Sequence, residues 1–123
     1  MATTLTKSFA DLVAPKVSSL LVALIRQDGT ECQGGGYQRQ QVSTCSTSED
    51  ATYVYITNAS DIRFPVASED VAPTTNPITQ LTLYDNASPV VTIDLSQSKA
   101  YLTQDQIIIP AGSLVIRFPK SNT

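Results

Sequence analysis

Apolar residues in the second half of this chain recur at every other position, and a period of two suits only extended backbone. Leu81 and Leu83 alternate with Thr82 and Tyr84, and Val91, Ile93 and Leu95 alternate with Thr92 and Asp94. Between the two runs lies Asp85-Asn86-Ala87-Ser88, a hairpin turn in composition. Tyr101 and Leu102, then Ile107-Ile108-Ile109, lead through Pro110-Ala111-Gly112 to a last strand over 114–118. There Leu114, Ile116 and Phe118 point one way, while Val115 and Arg117 point the other. Short strands at roughly ten-residue spacing, separated by turn signals, predict an all-β fold, an antiparallel sandwich or barrel. No helix–strand alternation suggests a parallel sheet.

The first half fits the same class. Residues 1–16 read as an N-terminal arm with a short helix, and 17–123 as a single β domain. Thr6 or Ser8 can cap that helix, Phe9, Leu12 and Val13 fall on one side, and Pro15 is expected to stop it. Leu20-Leu21-Val22-Ala23-Leu24-Ile25 is a continuous apolar run, as in a strand covered on both faces. Asp28-Gly29 is a turn, Cys32 to Gly36 a loop, and Tyr37 to Val42 the next strand. Ser43 to Ala51 is polar, serine-rich and acidic, and is expected to be an exposed loop. Tyr53-Val54-Tyr55-Ile56-Thr57 is a strand of aromatic and β-branched residues. Asp61 to Val66 is extended, with Pro65 keeping it off the middle of a sheet, and Ala67 to Pro77 is a connection. Arg-Phe-Pro occurs at 63–65 and again at 117–119, but the flanking residues do not align as a repeat.

Composition excludes several functions. The 123 residues hold no histidine, which removes Ser-His-Asp and Cys-His nucleophilic systems and any His-ligated metal site. Carboxylate pairs, Lys or Tyr remain able to move protons. Eight Lys and Arg are scattered over a chain of net charge -3, so no basic patch points to nucleic acid. No apolar run approaches the ~20 residues that a membrane helix needs, and Met1 to Lys7 lacks the basic and apolar regions of a secretory signal. The expectation is a chain with no membrane partner, no metal and no cofactor.

Cys32 and Cys45 flank a glycine-rich segment. A disulfide between them would close a short loop, worth ~3 kcal/mol; the alternative is two free thiols on adjacent strands. Within the segment, Gly34-Gly35-Gly36-Tyr37-Gln38-Arg39-Gln40 holds three of the five glycines. A phosphate-cradling loop would place a Lys and a helix after its glycines, and neither follows here. What remains is a flexible turn, or a backbone that takes positive φ or passes very close to another chain before a strand starts.

Other combinations carry less. Tyr53, Tyr55, Tyr84 and Tyr101 can form a carbohydrate platform, or simply pack across a sheet. Glu49-Asp50 and Glu69-Asp70 can bind a cation, or sit solvated in loops. Asn58-Ala59-Ser60 and Asn86-Ala87-Ser88 fit a glycosylation triplet, which is a frequent pattern. Asp61 and Asp94 are the carboxylate pair a glycan-cleaving enzyme would need, but nothing in their spacing supports it.

Four stations in order resemble a family of small phage virion proteins, labelled tail-fibre-like or minor structural proteins. The first is the short helix, an apolar strand, Asp28-Gly29-Thr30-Glu31, and the Gly34 to Gln40 motif. The second, Ile62-Arg63-Phe64-Pro65-Val66-Ala67, is similar to the family's "FPVA" segment. The third, Ile78 to Asp85, resembles its "ITHFGIYD" strand, and the fourth, Ile109 to Leu114, its "FPAGDL" turn. The chain departs from the pattern at Thr82, where the family carries glycine, and over Cys45 to Asp50, where it carries a more regular hairpin.

The resemblance implies a virion component, assembled in the host cytoplasm, and the lack of histidine and of catalytic spacing leads to the expectation that it is not an enzyme. The leading expectation is a capsid decoration, or cement, protein. It would bind the major capsid protein and its own copies, as a homotrimer, bracing the head lattice. The arm (Phe9, Leu12, Val13) and the glycine loop (Gly34, Gly35, Gly36, Tyr37, Arg39) would then be the partner-binding residues. The alternative keeps the virion and moves the chain to the tail, as a fibre or tail-tip part with a receptor- or glycan-binding role.

Overall fold

The computed structural model of the chain describes residues 3–121, so residues 1 and 2 of the expected arm lie outside it. The fold is all-β in antiparallel sheets with one N-terminal helix, as the alternating pattern required. Packing divides the chain into two compact units rather than following a boundary at residue 16. One unit is built from the described residues of 1–19, 42–62 and 109–123, the other from 20–41 and 63–108.

In the first unit, helix α1 (Lys7–Ser18) packs on a three-stranded sheet of order β3 (Cys45–Glu49), β4 (Tyr53–Asn58), β9 (Val115–Pro119). Strand β4 alternates as its sequence predicts: Val54, Ile56 and Asn58 are buried, while Tyr53, Tyr55 and Thr57 face outward. The helix does not end before Pro15. It continues to Ser18, although the proline nitrogen has no proton to give to the preceding turn. Buried Ala14 and Val17 on either side hold the last turn down, and the Ser19 N–H and hydroxyl both close on the Lys16 carbonyl.

The helix packs mainly by small residues rather than by the Phe9, Leu12 and Val13 side. Its buried stripe is Ala10, Ala14 and Val17, which let the helix approach the sheet closely; Leu12 is 78% exposed. Phe9 is half-buried, its ring edge-on to Phe118 with centroids 5.2 Å apart. Thr6 stands at the N-cap position without using its side chain. The Glu49 carboxylate caps instead, accepting the Lys7 backbone N–H at 3.1 Å. Ahead of the helix, Thr4 bridges to Ser121 and the Leu5 N–H donates to the Lys120 carbonyl, so the supposed arm is part of the unit.

Ser43 to Ala51 is not simply a loop, because Cys45–Glu49 forms strand β3, paired along its length with β4. Ser46 and Ser48 face solvent from an edge strand, while Thr47 is half-buried and donates its hydroxyl to Asp11 of the helix; such a strand needs hydrogen-bonding backbone but little apolar surface.

The second unit is a four-stranded sheet of order β2 (Gln40–Gln41), β1 (Leu21–Arg26), β6 (Ile78–Asp85), β7 (Ser88–Lys99). Val22 to Ile25 are all buried, which explains the unbroken apolar run. The β6–β7 hairpin turns at Asn86, which takes a positive φ of 58°. Phe64 and Tyr101 are fully buried, and the Tyr101 hydroxyl donates to the Pro65 carbonyl. The remaining short strands, β5 (Ile62–Arg63) and β8 (Ile108–Ile109), pair with each other.

Asn58 is the polar tie of the first unit. Its amide nitrogen donates to the Ser60 and Pro110 carbonyls, each at 2.9 Å, and its Oδ1 accepts the Leu114 N–H at 2.8 Å. Replacing it by alanine strands these groups in a buried site. Asn58→Ala is expected to cost about 2–3 kcal/mol in urea unfolding, against under about 0.5 kcal/mol for the exposed control Ser60→Ala.

Candidate functional site

The glycine cluster folds against its own unit. Gly34, Gly35 and Gly36 have φ of 80°, 62° and 87°, the left-handed region that side chains rarely adopt. At Gly35 the approach is also tight: a Cβ would lie 2.7 Å from Val71 Cγ2 and 3.0 Å from the Glu69 carbonyl oxygen. The Gly35 N–H donates to Glu69 Oε1 at 3.0 Å, and the Ser68 N–H donates back to the Gly35 carbonyl at 3.0 Å. The close neighbour of these glycines is therefore the 68–71 segment, and the Gly35 amide is already taken by a carboxylate.

The loop delivers Tyr37 and Arg39 onto Glu31. Tyr37 does not begin a strand; it follows a turn closed by its own N–H on the Gly34 carbonyl. Its ring lies parallel to Phe64, with centroids 6.1 Å apart. Its hydroxyl accepts the Leu24 N–H of β1 at 3.0 Å and donates to Glu31 Oε2 at 2.8 Å. Arg39 grips Glu31 with two bonds, Nε to Oε2 at 2.9 Å and one terminal nitrogen to Oε1 at 2.8 Å. The same guanidinium stacks 3.8 Å above the Tyr84 ring of β6.

The titration behaviour follows from this geometry. The Arg39 hydrogen bonds, with a smaller share from the Tyr37 hydroxyl, hold Glu31 below the usual carboxylate range. Burial, then the neighbouring Glu31 carboxylate, pushes the Tyr37 phenol far above its ordinary value. The hydroxyl thus stays protonated and acts as a structural bridge, not as an acid or base.

The expected partner-binding residues divide between the units. Phe9, Leu12 and Val13 belong to the first, and Gly34, Gly35, Gly36, Tyr37 and Arg39 to the second. Glu31, Glu69 and Tyr84 complete the loop cluster; sequence reasoning weighed Glu69 for a cation and Tyr84 for a carbohydrate platform, and had Glu31 only within the Asp28–Glu31 motif. Glu31 stands six and eight residues from its partners, a spacing that matches no helix or strand pairing rule.

The other sequence candidates are absorbed into the fold. Arg117 sits 4.3 Å over Tyr53, Tyr55 donates to Asp50, and Tyr84 lies under Arg39. With Tyr101 fully buried as well, the four tyrosines do not share one face. Glu49 pairs with Lys120 at 3.0 Å, and Asp50 accepts the Thr52 and Tyr53 N–H groups in the β3–β4 turn. Glu69 holds Gly35, and Asp70 accepts the Thr103 N–H and hydroxyl. Asp61 accepts the Ala111 N–H in one unit, and Asp94 accepts the Gln80 amide in the other. Cys32 and Cys45 are both free thiols, in different units, so the disulfide alternative is not the one realised. Cys32 is 2% exposed, and burial pushes its thiol up to about 11.

A comparison with protein families matches residues 16–117 to the family described as Podophage GP4 fiber I protein gp80. The chain belongs to that family. The match takes in the glycine loop, the β6–β7 hairpin and all but the last residues of β9, and omits most of the helix. No curated protein and no solved structure matches the chain. Membership makes it a phage structural protein of the fibre-like kind, the broad class that the sequence resemblance implied. Among the described residues, no helix is long and apolar enough to cross a membrane.

Two outcomes follow. Glu31 is held below its ordinary 4.5, so its contribution to stability is present above that pH and is lost as the pH falls. Urea melts from about pH 6 to about pH 3 should show Glu31→Gln less stable than wild type at the upper end, with the gap narrowing at the lower end. Thiol titration of the native chain at about pH 8 should count one fast group, half-buried Cys45, with Cys32 appearing only on unfolding.

Proposed function

We propose that this chain is a small, non-enzymatic part of a podophage tail-fibre apparatus, a compact joint or tip piece that works by surface contact. The family match over residues 16–117 carries this reading, because its description names a fibre. Two features of the chain support it. The acidic and tyrosine clusters that could have served catalysis are engaged in turns, strand pairs and loop ties. The chain also has no heptad or short repeat with which to build length, so it suits a joint or a tip better than a shaft.

The head-decoration reading gains nothing from the match. It also took residues 1–16 as an arm for docking, whereas α1 packs on its own sheet. Proposed partners are therefore neighbouring tail proteins and further copies of this chain, in place of the major capsid protein.

Quantitative mass spectrometry of intact particles, with immunogold labelling, tests the placement. The expected result is a low copy number set by the symmetry of the tail, with label at the tail and none on tailless heads. A lattice-wide copy number recovered with tailless heads would overturn it.

A further inference from the structure

Helix α1 covers one face of the β3–β4–β9 sheet, the face on which Val54 and Ile56 are buried. The opposite face carries Ser46 and Ser48 of β3, Tyr53, Tyr55 and Thr57 of β4, and Arg117 of β9, which pairs across from Tyr55. Ser46, Ser48 and Arg117 are exposed, and the two tyrosines are half-buried. Positions two apart on a strand point the same way. The Tyr53 and Tyr55 rings accordingly lie side by side, with centroids 6.0 Å apart and planes tilted by 51°. Tyr55 is pinned, because its hydroxyl donates to Asp50 Oδ2. Asp50 Oδ1 takes the Thr52 and Tyr53 N–H groups, so both oxygens of that carboxylate are engaged within the turn.

Arg117 stands apart from the lysines of this unit. Lys7 pairs with Asp11 and Lys120 with Glu49. Among the described residues, no carboxylate pairs with Arg117 and no acceptor bonds its guanidinium, which lies 4.3 Å over the Tyr53 ring. A guanidinium stacked on a ring directs its N–H donors sideways, in its own plane, as a fork already oriented for a carboxylate. The Tyr53 hydroxyl likewise has no bond among the described residues.

We propose that this face binds an acidic sugar, a uronic-acid unit of a polysaccharide, with its carboxylate on Arg117 and its ring against Tyr55. The charge complement selects the acid, since the bare cation of the face is Arg117 and the nearby Asp50 is already spent on three donors. Tyrosine offers a flat apolar surface to the C–H side of a sugar ring and a polar tip at its margin. The hydroxyls of Tyr53, Ser46 and Ser48 stand around the rings for the hydroxyls of the sugar. A protein partner fits less well, because its seat needs a contiguous apolar centre. Here Val115 and Pro119 are exposed but lie on either side of Arg117, not together. The site deepens the tip form of the fibre reading, yet the two fail separately. Tail placement stands if no sugar binds, and sugar binding stands if the chain sits elsewhere in the virion.

NMR chemical-shift titration of the full chain with trigalacturonate at low salt tests this, with circular dichroism to confirm that each variant folds. The wild type should bind with a Kd of about 1 mM or tighter, its shifts centred on Tyr53, Tyr55 and Arg117. Fully methyl-esterified trigalacturonate keeps the rings without the charges, and acetate keeps the charge without the rings. Each should bind about tenfold more weakly or not at all. Arg117→Gln should lose about tenfold or more, and Arg117→Lys, which keeps the charge but not the fork, should fall between it and wild type. Tyr55→Leu should weaken binding about threefold or more. Lys99→Gln, which removes a cation of the other unit, should bind like wild type. No binding at about 10 mM sugar, equal binding of the ester or of acetate, or shifts centred elsewhere would overturn the proposal. So would a folded Arg117→Gln that binds like wild type.

Discussion

The Tyr37 hydroxyl is the bond on which the arrangement of the second unit depends. It accepts from the Leu24 N–H, in the middle of β1, and donates to Glu31, which is itself clamped by Arg39. One oxygen therefore fixes a loop, a carboxylate and a strand together. The ring has to lie flat on Phe64 for the oxygen to arrive there, and the three glycines have to bend left-handed for the ring to lie flat. The Gly35 contact with Val71 closes the loop from the other side. Each of these contacts depends on the others, and each is built from a small or uncharged group except the Glu31–Arg39 pair.

The first unit reaches the same end by different chemistry. Asn58 satisfies two carbonyls and one N–H inside the unit, and small residues let the helix settle onto the sheet. Across both units, charged groups are few and sit at tie points. Glu49 caps the helix and meets Lys120, while Asp70 anchors Thr103. A chain in which the polar groups serve the fold presents partners with shape and strand edges more than with reactive groups. That is consistent with a virion part whose work is to hold.

Sequence reasoning read the strands best where one face is buried against a core. The alternation of Leu81, Leu83, Val91 and Ile93 named the β6–β7 hairpin, and the unbroken apolar run named β1. It failed where burial gives little signal. Strand β3 is polar on an edge and looks like a loop, because backbone pairing leaves no trace in side-chain type. The face by which the helix packs was not legible, because Phe9, Leu12 and Val13 stand out by hydrophobicity, whereas Ala10 and Ala14 pack by being small. The loop cluster was half legible: the glycines and Tyr37 stood out, but Glu31 and Glu69 join them only through tertiary closure.

The bridge from Thr4 to Ser121 has a consequence for how this unit could be carried by a larger polypeptide. Its first and last described segments run side by side, so the two outer ends of the chain reach the unit at one place. A host chain could hold the unit like a bead on a short stem, with no need to stretch a linker around it. Tags fused at either terminus would likewise reach that unit beside the Thr4–Ser121 bridge, close to where Tyr53 pairs with Pro119.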